Sequence, residues 1–125
     1  MELSRIGVVM LGVHEIARSI AVYRDRLGLK LQNQMPGFAF FDAGGVTLCI
    51  SEPLAKASGR IVGATEVVFS VSSVRGAYSA LLSRGITFSH EPRNVAGTSW
   101  AANFNDPDGH RLSIFGPEGS EHVSF

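Results

Sequence analysis

The feature that most constrains this chain is a repeat inside it. Residues 40–50 read Phe40-Phe41-Asp42-Ala43-Gly44-Gly45-Val46-Thr47-Leu48-Cys49-Ile50, and residues 104–114 read Phe104-Asn105-Asp106-Pro107-Asp108-Gly109-His110-Arg111-Leu112-Ser113-Ile114. Phe, Asp, Gly, Leu and Ile recur at five places with one fixed offset. Upstream, after a shift of a few residues, Val9-Met10-Leu11-Gly12-Val13 matches the apolar alternation of Val67-Val68-Phe69-Ser70-Val71, and each is followed by a helix-like pattern and then a glycine, Gly28 or Gly85. One short turn could match by chance. A strand, a helix, a glycine and a turn in the same order point to two copies of one half. The copies span residues 5–52 and 64–116, joined by a linker, 53–63, in which Gly, Ser, Pro and Ala are prominent, and followed by a tail, 117–125.

Each half reads as strand, helix and three strands. Residues 6–13 are nearly all apolar, which suits a strand covered on both faces. Ile16, Ile20, Tyr23 and Leu27 share one helical face, with Glu15 at the positive end of the helix dipole and Gly28 as C-terminal cap. Strands are expected at 29–34, 37–42 and 46–51, separated by Pro36-Gly37 and Gly44-Gly45. In the second half, 65–71 alternates, with Val67, Phe69 and Val71 on one face and Glu66, Val68 and Ser70 on the other. A helix follows with Val74, Ala77 and Leu81 on its stripe, Ser72 or Ser73 as N-cap and Gly85 as stop. Strands are expected at 86–90, about 98–105 and 110–115, the last hairpin turning through Asp106-Pro107-Asp108-Gly109. Each helix covers one face of its sheet. The other face is left to line a cleft or to meet a second chain.

The bulk properties narrow the function classes. Apolar residues make up 45% and charged residues 18%, an ordinary globular composition. Eleven Lys plus Arg balance eleven Asp plus Glu, which argues against a broad footprint for nucleic acid or an anionic membrane. Cys49 is alone, so neither an internal disulfide nor a multi-cysteine zinc site is available. No apolar run approaches the roughly 20 residues of a membrane span, and the N-terminal apolar stretch is too short and Gly-punctuated for a signal peptide. A reducing cytoplasm is the expected compartment.

The paired βαβββ halves, the helix end Tyr23-Arg24-Asp25-Arg26-Leu27-Gly28-Leu29 and the run Phe104-Asn105-Asp106-Pro107-Asp108-Gly109-His110-Arg111-Leu112 resemble the vicinal oxygen chelate superfamily. That group includes glyoxalase I, bleomycin-resistance proteins, fosfomycin-resistance transferases, methylmalonyl-CoA epimerases and extradiol dioxygenases. The resemblance covers nearly the whole chain and implies an α+β fold: one domain over 1–120, built of two tandem βαβββ modules (the glyoxalase/bleomycin-resistance fold), each a curved mixed sheet with one helix on its convex face. It also implies a divalent metal held by the first and last strands of each module. Aligned on Tyr23, Gly45, Val71 and Gly109, those positions are Val8, Cys49, Glu66 and Ser113. The family's enzymes place His, Gln or Glu there, and only Glu66 conforms. Valine has no lone pair, serine is a weak neutral ligand and a thiol must first lose its proton. A catalytic metal usually needs three good protein ligands. No metal and no cofactor are therefore expected, as in the bleomycin-binding members, which sequester their drug.

The resemblance implies a small organic ligand, apolar or cationic, in a cleft between the modules, and a homodimer, since short two-module members often complete the cleft with a second chain. The expected lining is Val8, Met10, Cys49, Glu66, Val68, His90, Trp100, Phe104, Ser113 and Phe115, with Phe40 as a further candidate. Glu66 could hold an amine or act as a base, or could simply be solvated or paired with an arginine. Cys49 fits a small buried hydrophobe, since no histidine is spaced to activate it. Of the four histidines, His14, His110 and His122 read as surface residues, while His90 could reach the cleft rim. Trp100 fits core filling or stacking on a planar ligand. The alternative is an enzyme: a metal-dependent lyase, isomerase or dioxygenase whose metal is held by Glu66 with Cys49, His90 or water. A non-catalytic interaction module is the third reading.

Overall fold

A computed structural model describes residues 5–58 and 65–120. The chain divides into two compact units, residues 1–61 and 62–125, a split that falls inside the expected linker. Each unit holds one four-stranded mixed sheet, and the two sheets have the same strand order: first strand, last, third, second.

In the first module β1 (Val8–Gly12) pairs in parallel with β4 (Thr47–Ser51), and β4, β3 (Phe38–Asp42) and β2 (Lys30–Met35) follow as an antiparallel meander. The helix between β1 and β2 begins as α1 (Ile16–Ile20) and widens into a π-helical stretch over Ala21–Arg26. Leu27 N–H donates to the Val22 carbonyl at 2.9 Å, a five-residue step. Ser19, Ile20, Val22 and Tyr23 are buried, while Ile16 and Leu27 at the ends of the expected stripe Ile16, Ile20, Tyr23 and Leu27 are only partly covered. Tyr23 packs on Phe41 at 5.9 Å between ring centroids, so the helix covers the face of Phe41, Leu48 and Ile50.

Residues 52–58, read from the sequence chiefly as the opening of a linker, fold instead into a helix, α2 (Glu52–Ser58). Two contacts account for it. Glu52 Oε2 accepts the Ile16 N–H at 2.8 Å, supplying the cap that Glu15 does not give α1. Ala55 lies against Gly12, where a Cβ would come within 3.0 Å of the α2 backbone, so glycine lets strand and helix approach. The rest of the expected linker, together with His122 in the tail, lies outside the described residues.

The second module repeats the plan. β5 (Glu66–Ser70) pairs in parallel with β8 (Arg111–Pro117), followed by β7 (Ser99–Asn105) and β6 (Arg93–Ala96). α3 (Val74–Ser83) is capped by Ser73, whose hydroxyl accepts the Gly76 N–H at 3.0 Å, and Gly85 leaves it at φ 88°. The strand expected at 86–90 is not there. Phe88 makes one isolated bridge to Phe104, and its ring sits 4.6 Å from Tyr78 and 5.1 Å from Phe104. The side chain wedges between helix and sheet, while the edge strand moves on to Arg93–Ala96, whose exposed residues carry no alternation to reveal it. The first tail residues are also ordered against α3: Glu118 Oε2 pairs with Arg75 Nε at 2.7 Å.

The repeated turns use one device. Asp42 Oδ1 accepts the Gly44 N–H at 2.9 Å, and Asp106 Oδ1 accepts those of Asp108 at 3.0 Å and His110 at 2.8 Å. The second turn is one residue longer. Asp42 pairs with Thr47, but it is Asn105 that pairs with Arg111.

Candidate ligand-binding face of the second module

Residues paired across strands point to the same face of a sheet. The register sets Glu66 beside Arg111, Val68 beside Ser113 and Ser70 beside Phe115. On its other side β8 sets Arg111 beside Asn105, Ser113 beside Asn103 and Phe115 beside Ala101. All of these lie opposite the face that carries Phe104 and α3. The polar-apolar-polar alternation Asn103-Phe104-Asn105 is what turns the two asparagines outward and the phenylalanine in.

A line of polar contacts crosses this face. Glu66 Oε2 accepts from Arg111 Nε and, at 3.0 Å, from Asn103 Nδ2. With its amide nitrogen drawn to the carboxylate, Asn103 turns Oδ1 to His90 Nε2 at 2.7 Å, and His90 Nδ1 lies 2.6 Å from the Glu91 carbonyl. Asn103 and Ser113 are buried, while Val68 and Phe115 are exposed large apolar residues.

The equivalent face of the first module is apolar. Val8 lies beside Thr47, Met10 beside Cys49 and Cys49 beside Phe40. Phe38 and Phe40 stack at 6.3 Å, and Val8 and Met10 are exposed at 49% and 43%. Cys49 is fully buried, and burial pushes its thiol pKa up. A neutral thiol suits packing and makes a poor nucleophile or metal ligand.

The register also tests the fit of a family-type metal. Val8 stands opposite Thr47 as Glu66 stands opposite Arg111, with Cys49 and Ser113 two residues further on, so these four are equivalent positions. Their side chains do not fit a divalent ion. One is aliphatic, one a thiol held neutral by burial, one an alcohol, and the single carboxylate already has a cation and an amide as partners. Among the described residues no group of three His, Cys, Asp or Glu side chains is assembled elsewhere.

Of the residues expected to line one site, Glu66, Val68, Ser113 and Phe115 share the second module's face, with His90 joined to it through Asn103. Val8, Met10 and Cys49 share the corresponding face of the first module. Trp100 and Phe104 do not belong with them. Phe104 is 1% exposed and packs under α3 through Phe88, because the longer turn shifts its ladder position by one and reverses its face. Trp100 has the same parity and lies 5.2 Å from the Arg75 guanidinium of α3. Asn103 and Arg111 were missed. The alternation around Phe104 carried a signal for Asn103, whereas nothing in the pattern around Arg111 singles it out.

Comparisons with known proteins agree with this architecture. A family model described as Glyoxalase/Bleomycin resistance protein/Dioxygenase superfamily matches residues 5–114. Among solved structures, a glyoxalase/bleomycin resistance protein/dioxygenase from Nocardioides is 26% identical, with TM-score 0.76 over 100% of this chain and 91% of that one. A lactoylglutathione lyase from Agrobacterium tumefaciens is 21% identical, with TM-score 0.76 over 91% and 94% of the two chains. A glyoxalase-related enzyme from Fulvimarina pelagi is 19% identical, with TM-score 0.77 over 98% and 100%. Likeness at those last two identities speaks for the fold alone. No curated protein matches the chain significantly in sequence. With the paired sheets, the repeated turns and a match spanning most of its length, the chain belongs to the glyoxalase/bleomycin resistance protein/dioxygenase superfamily.

Proposed function

We propose that this protein binds a small organic molecule without the superfamily's metal. The observation that carries the reading is the state of Glu66. It is the one family-type donor among Val8, Cys49, Glu66 and Ser113, and its Oε2 already accepts from both Arg111 and Asn103. Of the two ligand types expected from the sequence, the apolar or amphipathic one is favoured over the cationic one. The guanidinium supplies the positive charge that a cationic ligand would otherwise bring, and the side chains left open beside it are Val68 and Phe115.

Exposed Val8 and Met10 of the first module also support a homodimer as the working unit, since apolar sheet residues of this size favour covering by a partner. The metal-free reading is tested by isothermal titration of the purified protein with Ni2+, Zn2+ and Mn2+. The expected result is no saturable heat at micromolar metal. Tight one-to-one binding of any of these ions, abolished by Glu66→Ala, would favour the metal-dependent lyase, isomerase or dioxygenase instead.

A further inference from the structure

The second module's face holds two hydrogen-bonding groups that the fold leaves unused. Arg111 is fixed through Nε by Glu66, yet among the described residues neither terminal amino group of its guanidinium has a partner. Ser113, two residues along the same strand and on the same face, is only 2% exposed, and its hydroxyl makes no hydrogen bond to any described residue. Among the described residues every buried side-chain oxygen has a partner, so the unbonded Ser113 hydroxyl is one that opens onto this face. Residues two apart on a strand lie about 6.6 Å apart, within the reach of an arginine side chain. Val68 flanks Ser113 across the ladder, and Phe115 follows it on the same side.

Glu66 matters here in a second way. Its negative charge is spent on Nε, which orients the guanidinium without covering its outer edge. The fork of donors that remains matches a planar oxyanion. The unpartnered serine can donate to the same anion.

We propose that Arg111 and Ser113 form a carboxylate-binding subsite, and that the ligand is an amphipathic organic acid whose apolar body lies along Val68 and Phe115. The proposal deepens the small-molecule reading and rests on it. The ligand is recognised by an anion at one end and by a hydrocarbon or aromatic surface at the other, with no contribution from a metal.

The test compares three probes of one shape: 4-phenylbutyrate, its neutral amide 4-phenylbutyramide, and the cation 4-phenylbutylamine. Each is titrated into the intact protein while backbone amide signals are followed by NMR. The acid is expected to shift the signals of residues 111–115 saturably and to bind at least about tenfold more tightly than the amide or the amine. Arg111→Gln should remove that preference, Ser113→Ala should weaken the acid alone, and Arg24→Gln, an exposed guanidinium of the first module paired with Asp25, should change nothing. Equal binding of acid and amide on this face would overturn the carboxylate subsite and leave the small-molecule reading standing. Tighter binding of the amine, or an acid affinity indifferent to Arg111→Gln, would overturn it as well. Absence of saturable shifts with all three probes at millimolar concentration would count against both.

Discussion

Cys49 sits fully buried on β4 between Met10 and Phe40, and its burial has a consequence for stability at alkaline pH. The folded state holds the thiol pKa above its ordinary value of about 9.0, because desolvation disfavours the thiolate. The unfolded chain therefore releases this proton first as pH rises. Stability from this group is complete below the unfolded pKa and is lost progressively as pH climbs towards the folded one. Urea midpoints should thus fall more steeply above pH ~9 for the parent than for Cys49→Ala. Identical alkaline slopes in the two proteins would contradict the assignment. The polar line on the other module separates in a similar way. Arg111 is more than half exposed, so Glu66→Gln should change the unfolding free energy by less than about 1 kcal/mol. Asn103→Ala removes a buried amide from between Glu66 and His90 and should cost about 1–3 kcal/mol. Thermal or urea unfolding of the two variants distinguishes them.

Among the elements, α1 is tied to α2 by one charge-assisted contact. Glu52 caps a helix that precedes it by more than thirty residues, so Glu52→Ala should destabilise the first module by about 1–2 kcal/mol, read from urea unfolding. The long hairpin between β7 and β8 depends on Gly109, which adopts φ 90°. Valine there should cost about 1–3 kcal/mol of backbone strain, and a Gly109→Val protein with unchanged stability would speak against the turn geometry. These elements differ in how openly the sequence announces them. Asp-Pro-Asp-Gly states its turn, Ser73 and Gly85 bracket α3, and the alternation of 65–71 gives both faces of β5. The helix at 52–58 is hidden because its fixing contacts, Ile16 and Gly12, are distant in sequence. β6 is hidden because an exposed edge strand needs no apolar period. The residues 86–90 look like a strand because Ile86 and Phe88 alternate, although their burial comes from α3 and Phe104.

At the scale of the molecule, the duplication was legible because a turn that satisfies its own backbone through an aspartate is a demanding pattern, and it occurs twice. The same duplication misplaced part of the site. Matching Phe104 to Phe40 by sequence overlooks the additional residue in the second turn, and one residue is enough to exchange the two faces of a strand. Asn103 is the true counterpart of Phe40, and the polar line it belongs to emerges only once the register is known. The two modules thus carry unlike faces on like sheets, hydrocarbon and a neutral thiol on one, a charge-matched polar line with an open guanidinium edge on the other. No helix of the described residues is long and apolar enough to cross a membrane.

The claim on which the account turns is that the superfamily's chelating positions hold no ion in this chain. The most direct measurement is elemental analysis of protein purified without chelator and without a metal-binding tag. The expected result is substoichiometric Ni, Zn, Fe and Mn, unchanged in Glu66→Ala. A stoichiometric metal that disappears with Glu66→Ala would contradict it.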